Sequence, residues 1–168
     1  APYKQVVTHG FVTDESGNKQ SKRSGTAIDP VAACDKFGAD VLRYWVASVD
    51  YANDVPCSDA LLKQVGEHYR TVRNTLRFLL GNLQEFNPAT APATLLQIDQ
   101  WICEQTTLLV DDVLSSYRRY DFNAAITAIH NFCVKDLSKF YLDAIKDRMY
   151  CDAKDSESRR SGQAACHQ

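Results

Sequence analysis

Ser58-Asp59-Ala60-Leu61-Leu62-Lys63-Gln64-Val65-Gly66-Glu67-His68-Tyr69-Arg70-Thr71-Val72-Arg73-Asn74-Thr75-Leu76-Arg77-Phe78-Leu79-Leu80-Gly81-Asn82-Leu83 decides the fold. Ser58 offers a hydroxyl to the free amides of a first helical turn. Apolar side chains at 61, 65, 69, 72, 76, 79/80 and 83 recur at three- and four-residue spacing and lay one apolar stripe along a long helix. Such a stripe needs partners of the same kind, and they follow downstream. Gln84 to Thr94 holds two prolines and no periodicity, so it reads as a connector. Ile98, Trp101, Ile102, Leu108, Leu109 and Val113 mark a second long helix that ends near Tyr120. Asp121 caps a third, with Phe122, Ile126, Ile129, Cys133, Leu137, Phe140 and Ile145 on its buried face, and a fourth begins near Asp155 or Ser156. An antiparallel helical bundle is expected.

Upstream of Ser58 the pattern changes. Residues 4–13 are rich in β-branched and aromatic types and predict a strand, bent at Gly10. Asp14 to Asn18 predicts a turn. Asp29-Pro30 reads as an N-cap with proline at the first helical position, opening a short helix that Gly38 closes. A further helix from Ala39 to Val49 carries Val41, Leu42, Trp45 and Val46 on one side. The chain is therefore mainly α, with a short α/β piece feeding the bundle.

Composition sets the outer limits. With 168 residues, 45% of them hydrophobic, the chain can bury one ordinary core or two small ones. Nineteen Lys and Arg against 21 Asp and Glu exclude whole-chain basicity as a route to nucleic acid, though a local basic patch stays open. The apolar runs are too short to span a membrane. The start, Ala1-Pro2-Tyr3-Lys4, has neither an initiator Met nor a secretory apolar run, and Gly162 to Gln168 reads as a helix without a stop signal; both ends look like cuts in a longer protein. Six cysteines include no C-x-x-C and no histidine at ligand spacing, which argues against zinc and for the reducing cytoplasm.

The chemistry concentrates in Lys19-Gln20-Ser21-Lys22-Arg23, three cations in five residues without a carboxylate, in a loop after a strand. Two ammonium groups and a hydroxyl suit a polyphosphate, and such lysines can follow charge as it builds on leaving pyrophosphate. A solvated charged turn fits the same five residues. A second candidate is the trio Arg70, Arg73 and Arg77, which at about 100° per residue fall within roughly 60° of one another, beside the apolar stripe. They suit a phosphate-facing edge or pairing with acidic neighbours. His9, His68 and His130 read as structural or solvated, Trp45 and Trp101 as core, and Asp111-Asp112 as a solvated face because adjacent helical residues diverge.

Lys19-Gln20-Ser21-Lys22-Arg23 resembles the K-M-S-K-S signature of the class I aminoacyl-tRNA synthetases. Nearly the whole chain follows the isoleucyl-tRNA synthetase family in order: Thr8-His9-Gly10-Phe11-Val12, Asp29-Pro30, Gly38-Ala39-Asp40-Val41-Leu42-Arg43, Trp45-Val46-Ala47-Ser48-Val49-Asp50-Tyr51, Arg73-Asn74-Thr75-Leu76-Arg77-Phe78-Leu79-Leu80, Phe140-Tyr141-Leu142, Lys146-Asp147-Arg148 and Arg159-Arg160-Ser161. The resemblance implies that residues 1–30 are the C-terminal edge of a Rossmann-like catalytic domain with its signature loop. Residues 31–58 would be the connecting segment that contacts the tRNA stem, and residues 59–168 part of the helical anticodon-binding domain. It implies ATP-dependent joining of isoleucine to its tRNA through an aminoacyl-adenylate. Lys22 would be catalytic, with Lys19, Ser21 and Lys22 on ATP, Mg2+ accompanying ATP, and Arg70, Arg73 and Arg77 on tRNA. A cytoplasmic ligase is the expectation, with no membrane and no metal held by this segment. The H-I-G-H signature that completes such an ATP site is absent from these residues, so this segment alone is expected to be inactive. Gln20 stands in place of the usual Met and Arg23 in place of the final Ser. These two departures keep open a non-catalytic tRNA-binding module, and a valine or methionine relative is the other alternative.

Overall fold

The structure is a computed structural model that describes residues 2–21, 25, 27–84, 86–92 and 94–168. Strand β1 (Val12–Thr13) pairs in parallel with β2 (Val55–Pro56), Val12 opposite Val55. Between them lie α1 (Pro30–Phe37) and α2 (Ala39–Ser48). The bundle follows: α3 (Asp59–Gly81), α4 (Gln97–Arg118), α5 (Phe122–Asn131), a π-helical stretch (Phe132–Tyr141), α6 (Leu142–Ala144), α7 (Lys146–Cys151) and α8 (Glu157–His167). None of these helices is long and apolar enough to cross a membrane.

The helix ends follow the local chemistry. The Asp29 carboxylate accepts from the Val31 amide ahead of Pro30, and Gly38 at φ 94° closes α1. The Ser58 hydroxyl accepts from the Leu61 amide, and the Asp121 and Ser156 side chains accept from Ala124 and Arg159. The expected strand over 4–13 shrinks to its last two residues. Val6 and Val7 are 63% and 46% exposed, with no sheet beside them among the described residues, and the partner strand is two residues long. Gly10 sits so close to the bend ahead of β2 that a Cβ would lie 2.2 Å from the Asn53 carbonyl oxygen.

Two hydrophobic clusters hold the chain together. Ala33, Trp45, Cys57 and Leu62 form one, joined by Ile28, Phe37, Leu42, Val49, Val55 and Val65, so it ties α1, α2 and β2 to the start of α3. Ile102, Cys133, Leu137, Tyr141, Leu142, Ile145 and Met149 form the other, at the centre of the bundle. On α3 the buried line differs from the predicted stripe. Leu62 and Thr75 are buried while Leu76 and Leu80 are 51% and 69% exposed, because the helix turns Thr75 inward to meet the Ser138 hydroxyl at 3.0 Å. The third predicted helix also changes register. The Leu142 amide donates to the Leu137 carbonyl five residues back, and this wider turn brings Tyr141 inside (1% exposed) and leaves Phe140 half-exposed against Trp101.

Candidate functional site

The Asp14–Asn18 turn sets where the basic loop begins. Asp14 accepts from the Ser16 and Asn18 amides, and the Asn18 amide above all holds its carboxyl below the usual carboxylate range. Gly17 supplies the left-handed residue at φ 82°. The chain then returns antiparallel, Lys19 opposite Thr13, and the Gln20 amide donates to the Val12 carbonyl at 2.9 Å. Lys19 rests its ammonium 3.6 Å from the centroid of the Phe11 ring, a cation–π contact with the residue just ahead of β1. Ser21 is half-buried and engaged. Lys22 and Arg23 lie outside the described residues. Lys19 and Ser21 are thus brought to one end of the loop.

Gln20 is the most connected member of the signature. Its Nε2 donates to the Thr13 carbonyl at 3.0 Å and the Cys57 carbonyl at 2.8 Å, and its Oε1 accepts from the Ile28 amide at 3.2 Å. The expectation gave Gln20 only as a departure from Met. The nearby His9 is exposed, its Nδ1 donating to the Gly10 carbonyl. Among the described residues no three His, Cys, Asp or Glu side chains gather closely enough to hold a metal ion.

On α3, Arg70, Arg73 and Arg77 are all exposed. Arg70 forks onto the Glu67 carboxylate at 2.9 and 3.0 Å, whereas Arg73 and Arg77 make no ion pair among the described residues. Arg70 and Arg73 border one shallow depression with Lys36 and Lys63. Lys36 is paired with Asp59, so the open positive charge there comes from Lys63 and Arg73.

Comparison with known proteins bears on both regions. Residues 1–58 match the family model described as tRNA synthetases class I (I, L, M and V), and residues 99–168 match the anticodon-binding domain of tRNA ligase. Isoleucine–tRNA ligases of Carboxydothermus hydrogenoformans, Brevibacillus brevis and Alkalilimnicola ehrlichii are 47%, 49% and 49% identical to it over 100%, 99% and 98% of its length. The chain belongs to the class I aminoacyl-tRNA synthetases. It spans 18% of the length of each of those relatives. In fold, this synthetase segment is similar to the agnB2 LeuRS of Agrobacterium radiobacter K84, solved as a ternary LeuRS-tRNA-LeuAMS complex, with a TM-score of 0.68 at 23% identity over 94% of this chain and 19% of that one.

Three of the stretches that carry the synthetase resemblance meet at one buried carboxylate. Asp99 is fully buried (0% exposed); it accepts from the Tyr141 hydroxyl at 2.7 Å, the Ser161 hydroxyl at 2.6 Å and both terminal nitrogens of Arg148 at 2.9 and 3.0 Å. Ser161 in turn accepts from the Leu96 amide at 2.8 Å, so the cluster pins the start of α4 to α7 and α8. The Asp99 carboxylate raises the Arg148 guanidinium further, and burial pushes the Tyr141 hydroxyl up and the Cys166 thiol up to about 12. With its carboxylate fully paired and closed off from solvent, Asp99 makes this cluster a structural lock of the synthetase bundle. No local sequence signal marks Asp99; the segments that converge on it were legible only as family stretches. His68 and His130, 4.9 Å apart, line a groove with Tyr44 and Gln64, where burial and then His68 lower His130.

Proposed function

We propose that the chain is part of a cytoplasmic isoleucine–tRNA ligase, which joins isoleucine to its tRNA through an aminoacyl-adenylate formed from ATP. The observation that carries this reading is the 47–49% identity to isoleucine–tRNA ligases along essentially the whole chain. The K-x-S-K spacing at Lys19, Ser21 and Lys22 supports it, as does the short β1 that leads into that loop. Lys22 stabilises the pyrophosphate as negative charge builds on it, and Lys19 and Ser21 hold the phosphates. Residues 1–30 are the edge of the catalytic domain, residues 31–58 the connecting segment, and residues 59–168 part of the anticodon-binding domain. Arg70, Arg73 and Arg77 face the tRNA backbone. Mg2+ would arrive with ATP, and the Asp14 carboxylate ahead of the loop is spent on its own turn.

The test is isoleucine-dependent ATP–pyrophosphate exchange by the full-length protein. Lys22→Ala lowers the exchange rate by roughly 10²–10³, the scale of one lost charge-stabilising group, while isoleucine binding persists. Exchange supported by valine or methionine in preference to isoleucine, or exchange indifferent to Lys22→Ala, overturns the assignment.

A further inference from the structure

Gln20 does something that a methionine at the same place has no atoms to do. Both hydrogens of its amide nitrogen are spent, on the carbonyls of Thr13 and Cys57, and its oxygen is spent on the amide of Ile28. The three partners lie far apart in sequence. Thr13 is the end of β1, Cys57 precedes the Ser58 cap of α3, and Ile28 precedes the Asp29 cap of α1. Cys57 is 4% exposed, so its carbonyl has little water to turn to if the amide is removed. The Thr13 carbonyl also accepts from the Cys57 amide at 3.0 Å, which makes the side chain an extension of the β1–β2 ladder. One residue thereby fastens the end of β1 to the N-terminal ends of two helices.

We propose that Gln20 is a positioning residue for ATP: through its three side-chain hydrogen bonds it holds its two neighbours Lys19 and Ser21 at the register the phosphates need. This rests on the ligase reading given above. Gln20 spends its side-chain donors and acceptor on the backbone, so its loss is felt through its neighbours Lys19 and Ser21. Gln20→Met keeps the length and removes all three bonds. Gln20→Glu keeps an acceptor for Ile28 and sets a carboxylate against two carbonyls.

Both variants are compared with the wild type in the full-length protein by steady-state ATP–pyrophosphate exchange, thermal unfolding and amide hydrogen exchange resolved at Ile28. The KM for ATP rises about tenfold in each variant, the scale of one or two lost hydrogen bonds, while the KM for isoleucine stays at its wild-type value and the Ile28 amide exchanges faster. A KM for ATP unmoved in both variants, or an Ile28 amide as protected as before, overturns the proposal. So does a fall in melting temperature with both Michaelis constants rising together, which marks a merely structural role. A wild-type protein that shows no isoleucine-dependent exchange ends the ligase reading instead, and the protection of Ile28 then decides the Gln20 tie on its own.

Discussion

Asp99 and Gln20 carry opposite lessons about single residues. Asp99 is a fully buried charge whose cost is offset only because Arg148, Tyr141 and Ser161 all point at it. Removing the carboxylate leaves the Arg148 guanidinium, 17% exposed at its side chain, without its counter-charge. Asp99→Ala therefore costs about 3–5 kcal/mol in denaturant unfolding, and Asp99→Asn, which retains acceptors for the hydroxyls, costs less. Equal losses for the two variants would contradict the charge account. From sequence, Asp99 is one acid in the first turn of an amphipathic helix, and its partners are 42 or more residues away, so no local pattern can report it. Gln20 was visible as a departure in a signature, yet the sense of the departure lay in Cys57, 37 residues on. Lys19 and Ser21 are singled out by their match to the signature, and the phosphate role proposed for them comes from that resemblance.

At the scale of elements, capping chemistry was readable and register was not. Asp29-Pro30, Gly38, Ser58, Asp121 and Ser156 each bound a helix where their side chains or backbone demand it. The π-helical stretch has no such signal: its five-residue hydrogen bonds follow from packing Tyr141 and Leu142 together into the core, which a 3.6-residue period misplaces onto Phe140. The same limit moved the buried line of α3 onto Thr75. It left the arginine edge where the spacing puts it, since those side chains are exposed in either register. Arg70 already pairs with Glu67, so Arg73 and Arg77 hold more of the available charge. Replacing all three by Ala in the full-length protein weakens tRNA binding and lowers the slope of log K against log salt by about 0.7–0.9 for each phosphate no longer neutralised. Reverting Arg70 alone restores the smallest share of that slope. A slope unchanged in the triple variant would remove this edge from the tRNA interface.

Across the whole molecule, a polar and aromatic corner joins the strand-bearing half to the bundle, beside the cluster around Trp45 and Leu62. The Tyr51 hydroxyl donates to the Tyr120 carbonyl at 2.6 Å, and the Asn123 amide donates to the Ser48 carbonyl at the end of α2. Phe122 packs against the rings of Tyr51, Tyr117 and Tyr120. Tyr120 holds φ at 60°, a left-handed conformation that a bulky residue adopts only when its surroundings impose it, and the Tyr51 hydroxyl is one of them. The corner joins the residues between α2 and β2 to the turn between α4 and α5, and so is one of the contacts that relate the bundle to the side that carries the signature loop. Loosening it leaves Gln20 and its three partners in place, because none of them lies in the corner. Tyr51→Phe combined with Asn123→Ala therefore separates the two half-reactions of the proposed ligase. Pyrophosphate exchange stays within about twofold of wild type while the rate of tRNA charging falls about tenfold, because a small misplacement of a bound substrate is enough to slow transfer. Equal losses in exchange and charging would show that the corner supports the ATP site as well, and no loss in charging would show that the bundle is oriented by other parts of the interface.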